Sequence, residues 1–277
     1  MEYIKYQRRD ILIVVTFRGT VFGIESANVV GYVQKGQDSG AYSKGACFDG
    51  VASSPMNIQD IIPAAPEGEE LYTGAFTIMT LTEGTETDKN YFYITAEDAE
   101  GIDGVAKAGW FNEDMDTRLE DVTFLPGEGF LVISDFDGAS VTFSGSVAQG
   151  DTVIELGAGA NFCGNNALND LDIQSITVGA ECDEAGNLSW GETEAYTGCF
   201  TIMTLTPGTE TDKNYFYITA EDAEGIDGVA MAGWFNEDMD TRLTGEKAVT
   251  FAAGEAFLVI SDFDTAFVKI PGNPALN

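Results

Sequence analysis

The chain has 277 residues, of which 44% are hydrophobic, and its 46 acidic and 13 basic residues give a formal net charge of −33. This charge excludes nucleic acid and anionic membrane surfaces as partners, because both are bound by basic side chains that neutralise phosphates. The hydrophobic content is too high for a disordered chain. The sequence contains no histidine, the side chain best suited to proton transfer near neutral pH and the commonest transition-metal ligand.

The first predicted element is the N-terminal segment, residues 1–23, for which two interpretations remain open. A basic start, the apolar run ILIVVTF between Asp10 and Arg18, and the small residue Gly23 form the layout of a secretory signal. The run is too short to span a membrane, so we expect no membrane insertion. The alternative is a β-strand that adds to the sheet of a neighbouring molecule, because the run consists mostly of β-formers. The side chains of this assembly strand would be Ile11, Ile13, Val15 and Phe17.

Two near-identical segments, residues 76–119 and 200–243, dominate the rest of the chain. Weaker similarity extends the repeat on both sides; GYVQKG in the first half faces GSVAQG in the second. The repeat therefore predicts two modules, residues 24–144 and 145–277. No linker rich in proline or serine separates them, so we expect a rigid joint. The two differences within the near-identical segments are Glu83 against Pro207 and Lys107 against Met231.

The secondary-structure signals within each module are short and typical of β-strands. FTIMTLT, NYFYITAED and VTFLPGEGFLVISDF are rich in threonine, branched and aromatic residues, and glycine-rich turns separate them. AEDAEGIDGVA could form a helical turn, although its glycines at 101 and 104 make a long helix unfavourable. The pattern predicts an all-β protein with two tandem β-sandwich-like modules of the jelly-roll or immunoglobulin type, produced by an internal duplication.

The PGEGFLV strand at residues 126–132, near the end of the first module, resembles a motif of exported bacterial surface and filament proteins. Their β-repeats end with a PGxGFxV-type strand. The second module has AGEAFLV at this point and so lacks the proline and one glycine. The resemblance implies a secreted or surface-displayed β-module without known catalysis, and it assigns no functional residue.

Four cysteines are present, but without a C-x-x-C pair or a histidine they do not indicate a zinc site. Cys199 replaces Ala75 of the first module, and Cys182 lies in a segment nine residues longer than its counterpart. We therefore predict a disulfide between Cys182 and Cys199 that holds the longer segment, worth about 3 kcal/mol by loop entropy. The alternative is two buried free thiols. Cys47 and Cys163 are predicted to be small core residues.

Acidic pairs at the end of one strand in each module are candidate calcium ligands. In SDFDG and SDFDT, carboxylates on alternate residues face the same side, and calcium is bound by several converging oxygens. The EF-hand pattern is absent, and no other cofactor is indicated. The candidate residues are Asp135 and Asp137 in the first module and Asp262 and Asp264 in the second.

The three tryptophans separate into two groups. Trp110 and Trp234 are equivalent in the repeat, and their flanking residues predict core positions. Trp190 lies in the longer segment of the second module, where an exposed ring could stack on a sugar. We therefore predict Trp190 as a possible ligand contact.

No catalytic signature appears: the chain has no histidine base, no nucleophile elbow and no phosphate-binding loop. These features predict a non-enzymatic structural protein, a subunit of an extracellular filament or cell-surface array. The partner would be the protein itself, in a head-to-tail homopolymer formed by module contacts and N-terminal strand exchange. The alternative function is a secreted carbohydrate- or surface-binding adhesin module.

Overall fold

The structure is a computed structural model that describes residues 11–21, 24–45, 55–80, 89–146, 150–166, 170–204 and 213–272. It confirms the all-β class. The strands of the first half are β1 (Ile11–Val21), β2 (Ile24–Gln37), β3 (Gly40–Gly45), β4 (Met56–Asn57), β5 (Ile61–Ala64), β6 (Phe76–Thr80), β7 (Lys89–Ile94), β8 (Gly109–Phe111), β9 (Thr123–Phe124), β10 (Gly129–Ser134) and β11 (Ala139–Ser146).

The second half contains a corresponding series of strands. They are β12 (Thr152–Leu156), β13 (Gly159–Gly164), β14 (Leu171–Asp172), β15 (Thr177–Gly179), β16 (Glu181–Cys182), β17 (Leu188–Ser189), β18 (Phe200–Thr204), β19 (Lys213–Ile218), β20 (Gly233–Phe235), β21 (Thr250–Phe251), β22 (Ala256–Ser261) and β23 (Ala266–Ile270). The predicted helical turns are short helices, α1 (Ala96–Asp103) and α2 (Ala220–Asp227). Each ends at a glycine in the left-handed conformation, Gly104 at φ 76° and Gly228 at φ 77°.

Each half contains a five-stranded antiparallel sheet with the same strand order. The order is β3-β10-β6-β7-β8 in the first half and β13-β22-β18-β19-β20 in the second. A smaller sheet completes each half: β1-β2-β11-β5 in the first and β12-β23-β15 in the second. Apolar side chains from both sheets of a half form one cluster, which gives each half a sandwich-like core.

The predicted core tryptophans are confirmed. Trp110 and Trp234 are 0% and 1% exposed. The indole N–H of Trp110 donates to the carbonyl of Ile61 at 2.8 Å, and that of Trp234 donates to Ile176 at 2.9 Å. Each indole ring therefore links its five-stranded sheet to the start of a strand of the smaller sheet. The hydrogen bond also satisfies the one polar atom of the buried ring.

The two halves meet through reciprocal contacts between glycines. The N–H of Gly45 donates to the carbonyl of Gly254 at 3.0 Å, and the N–H of Gly164 donates to the carbonyl of Gly127 at 2.6 Å. Gly45 and Gly164 occupy equivalent ends of β3 and β13, as do Gly127 and Gly254 before β10 and β22. The contact is therefore isologous: each module offers the same patch to the other.

Gly45 and Gly164 are also in direct backbone contact. A Cβ built on Gly45 would lie 2.6 Å from the Cα of Gly164, a distance that only glycine permits. Isolated β-bridges flank this point and join Lys44 to Glu255 and Glu128 to Cys163. The modules thus adjoin through backbone rather than through a linker.

The N-terminal strand β1 pairs antiparallel with β2 of the same chain, from Ile11 opposite Gln34 to Val21 opposite Ile24. β11 pairs with β2 only from Val30 onwards, so the first part of β2 pairs with β1 alone in the described residues. β11 ends at Ser146, two residues beyond the predicted module boundary.

Candidate functional site

A cleft of 770 Å³ lies between the two modules. The first module lines it with residues of β6, β7 and the chain from Asp121 to Gly129, and the second module lines it with residues of β12 and β13. The lining mixes apolar and charged side chains. Leu125 at the rim is 60% exposed and adds apolar surface to the cleft. The cleft therefore offers contacts to a ligand that is both apolar and charged.

One wall of the cleft is the open edge of β12. Val153, Ile154 and Glu155 all line it, although consecutive side chains of a strand point to opposite faces. A cavity that contacts three residues in a row faces the strand's edge. Within the described residues, β12 pairs with β23 alone. In the part of the chain that the structure describes, the other side of β12 is thus an edge of the kind to which a further strand can add.

Glu128 is a desolvated carboxylate in the wall of the cleft. Its Oε2 accepts the backbone N–H of Leu125 at 2.8 Å, which closes the turn before β10. Burial raises the pKa of Glu128 above its ordinary value of 4.5, although the bond from Leu125 opposes the shift. The equivalent Glu255 accepts the N–H of Ala252 at 2.8 Å, and burial raises its pKa as well.

The surroundings of the two glutamates differ in charge. Lys35 and Lys44 favour the ionised form of Glu255 and partly oppose the effect of burial on its pKa. Among the residues that the structure describes, no cation contributes to the pKa shift at Glu128. Glu128 in turn adds to the effect of burial in raising the pKa of the Cys163 thiol. Among the described residues, the surroundings of Glu128, which face the cleft, are thus more acidic than the surroundings of Glu255.

We expect Glu128→Gln to remove a pH dependence of stability. Because the folded pKa of Glu128 is raised, the folded state binds its proton more tightly, and stability falls as pH rises from about 4.5 through the folded pKa. The glutamine stays neutral and can still accept the N–H of Leu125, so this fall should disappear and stability at pH 7 should increase. Urea unfolding at a series of pH values measures this pH dependence of the free energy of unfolding. Glu255→Gln is the matched control with a smaller expected effect, and an unchanged pH profile for Glu128→Gln would contradict the prediction.

The predicted calcium ligands are exposed and hydrogen-bonded to separate partners. Asp135 accepts the hydroxyl of Tyr72 at 2.9 Å, whereas Asp137 accepts both the N–H and the hydroxyl of Ser39 at 3.0 and 2.8 Å. These bonds from Ser39 hold the pKa of Asp137 below its ordinary value. Asp262 accepts the hydroxyl of the tyrosine equivalent to Tyr72 at 2.7 Å.

Asp264 is exposed at the corresponding turn. In the ranges that the structure describes, no three acidic or thiol side chains converge as metal ligands. The calcium site therefore stays a prediction, and the described residues supply no converging set of ligands that supports it.

The predicted disulfide between Cys182 and Cys199 is not formed, and both residues are free thiols. Cys199 is fully buried in the core of the second module, at the position where the first module has Ala75. Cys182 lies in the β16–β17 hairpin and is only half-buried. The hairpin is held instead by Asp183, whose carboxylate accepts the N–H groups of Ala185 and Asn187 at 2.9 and 2.8 Å.

Trp190, the predicted ligand contact, is partly buried, and its role as a contact stays a prediction. Its ring packs against the core of the second module, with centroid distances of 6.0 Å to Phe200, 5.9 Å to Tyr217 and 6.0 Å to Phe263. The longer segment thus carries an aromatic anchor that ties it to the sandwich.

The predicted assembly strand does form a strand, at the edge of the smaller sheet of the first module. Its residues lie in β1, opposite β2. Ile11 is paired with Gln34, Ile13 with Tyr32, Val15 with Val30, and Phe17 with Asn28.

Sequence reasoning missed the cleft residues Asp121, Glu128 and Glu155. A signal existed for one of them: both modules keep a glutamate at the start of an otherwise apolar strand, in PGEGF and AGEAF. The other two acids come together with it only through the packing of one module on the other.

The fold defines an all-β protein in which each half of the chain has a five-stranded antiparallel sheet and a sandwich-like core. No protein-family model matches the chain, and a search of curated proteins finds no significant match. Among the described residues, no helix is long and apolar enough to cross a membrane.

Proposed function

We propose that this protein is a non-enzymatic structural subunit that assembles with copies of itself into an extracellular filament or surface array. One observation carries the proposal: the smaller sheets of the two modules have unequal edges. β2 pairs with β1 on one side and β11 on the other, whereas in the described part of the chain its counterpart β12 pairs with β23 alone. An unpaired edge is a template for another extended segment.

The positions of the two strands favour a head-to-tail arrangement. β1 belongs to the first module, and the open edge of β12 belongs to the second. A contact between β1 of one molecule and β12 of the next joins two different surfaces. Contacts of this heterologous kind continue into filaments where they do not close into a ring.

The extracellular location is supported by the resemblance of PGEGFLV to exported bacterial β-repeats. The alternative function, a carbohydrate-binding adhesin, depended mainly on Trp190. That ring packs partly against the core of the second module, which leaves less of its surface for a sugar. We therefore prefer assembly.

Removing residues 1–21 should abolish assembly while leaving folded monomers. Sedimentation and negative-stain microscopy would measure assembly, and near-ultraviolet circular dichroism would check that both cores persist. Val15→Pro in the full chain is a second variant, because proline removes one strand N–H and leaves the charge of the segment unchanged. Assemblies that form equally well from the full chain and both variants would overturn the proposal.

A further inference from the structure

We infer that the cleft between the modules is the acceptor site for a second copy of this chain and that its occupant is the basic N-terminal strand of that copy. The inference rests on the proposed function and specifies where the molecules join. Its parts are the open edge of β12, the equivalence between β12 and β2, and the charge of the cleft.

The pairing registers establish which residues of β12 and β2 correspond. Ala139 pairs with Gln37 of β2, and its equivalent Ala266 pairs with Leu156 of β12. Gln37 and Leu156 are therefore counterparts, and counting back three residues makes Gln34 the counterpart of Val153. Ile11 of β1 lies opposite Gln34 within the chain. If the N-terminal strand of a second molecule exchanges from its own β2 to this β12 and keeps the register, Ile11 lies opposite Val153, in the wall of the cleft.

Charge distinguishes the N-terminal strand from other extended segments. Of the described residues that line the cleft, three are carboxylates, Asp121, Glu128 and Glu155, and one is a lysine, Lys89. The first 21 residues are basic although the whole chain is acidic. Their basic residues are Lys5, Arg8, Arg9 and Arg18, against the acidic Glu2 and Asp10. Opposite local charges steer association and fix register between molecules that otherwise repel each other.

The register also predicts a specific ion pair. If the antiparallel pairing continues two residues beyond Ile11, it brings Arg9 of one molecule opposite Glu155 of the other. Cross-strand pairs of opposite charge stabilise a sheet, and like charges destabilise it.

The first experiment reverses one charge in the cleft of the full-length protein. Glu155→Lys should raise the concentration needed for half-maximal assembly by tenfold or more, and mixing it with Arg9→Glu molecules should restore part of the loss. Glu194→Lys is the matched control: it makes the same charge change at an exposed residue outside the cleft, and it should assemble like the unmodified chain.

The outcomes separate this inference from the proposed function. If Glu155→Lys and Glu194→Lys assemble equally well while removal of residues 1–21 still abolishes assembly, the acceptor site is overturned and the function stands. If the unmodified chain does not assemble, both are overturned. A direct check mixes Ile11→Cys molecules with Val153→Cys molecules under mild oxidation. Mass spectrometry should find a disulfide between positions 11 and 153 of different molecules, and its absence in assembled material would overturn the register.

Discussion

Replacing Gly164 with alanine should weaken the contact between the modules and destabilise the protein by about 3 kcal/mol. The new Cβ would lie 2.4 Å from the Cα of Gly45. Backbone atoms cannot move aside as a flexible side chain can, so the modules must separate. Separation would also lengthen the hydrogen bonds that Gly164 donates to Gly127 and that Gly45 donates to Gly254.

Urea unfolding, followed by tryptophan fluorescence, would measure this effect. Gly36→Ala is the matched control, because a Cβ at Gly36 in β2 meets no atom within 4 Å. Gly45→Ala should reproduce the effect of Gly164→Ala, since the contact is reciprocal. Equal stability of Gly164→Ala and Gly36→Ala would show that the two backbones do not meet as described.

Replacing Trp110 with alanine should cost about 4 kcal/mol, the largest effect we expect of a single side chain. The ring is fully buried, and Tyr93 packs against it at a centroid distance of 5.3 Å. The substitution leaves a cavity and also removes the hydrogen-bond donor of the Ile61 carbonyl. Trp110→Phe keeps most of the ring, so its cost should be smaller and should come mainly from the unpaired carbonyl.

Equilibrium unfolding of three variants tests this account. Trp234→Ala should match Trp110→Ala, because the two rings have the same burial and the same kind of hydrogen bond. Trp190→Ala should cost less, since its ring is only partly buried. A Trp190→Ala variant that is less stable than Trp110→Ala would contradict this order.

The strands and cores were predictable because their signals are local. The segments that form β6, β7 and β10 are rich in β-formers, and the structure places them in adjacent strands of one sheet. The short helix was also predictable, because Gly104 can adopt the left-handed conformation that ends it. The core position of Trp110 followed from its apolar neighbours in the sequence.

The errors arose where similarity between the modules was taken as a guide to contacts. Cys182 and Cys199 both belong to the second module alone, which suggested a pair. In the structure, however, Cys199 simply fills the core position that Ala75 fills in the first module. Trp190 lies in the added segment, and the neighbouring sequence does not indicate that its ring packs against three aromatic rings of the second module.

The cleft could not be predicted, because sequence similarity aligns the start of the second module with the wrong residues of the first. Similarity aligns GYVQKG with GSVAQG, at residues 145–150. The hydrogen-bonded ladders instead make Leu156 the counterpart of Gln37, so residues 150–155 correspond to residues 31–36. With that register β2 and β12 are counterparts, and they differ because β2 has a partner strand on both sides whereas β12, in the described residues, has one on a single side.

The reciprocal glycine contact has a consequence for valency. β3 and β13 contact each other at the centre of the molecule, and each is one edge of a five-stranded sheet. The opposite edges of these sheets are β8 and β20, which belong to the near-identical segments. A ligand that recognises one of these segments therefore meets a second copy within the same molecule. Two linked weak sites raise the effective local concentration and can increase overall binding by about 10²–10⁴ over either alone. The spacing between the two near-identical segments is thus determined by the contact between two glycines.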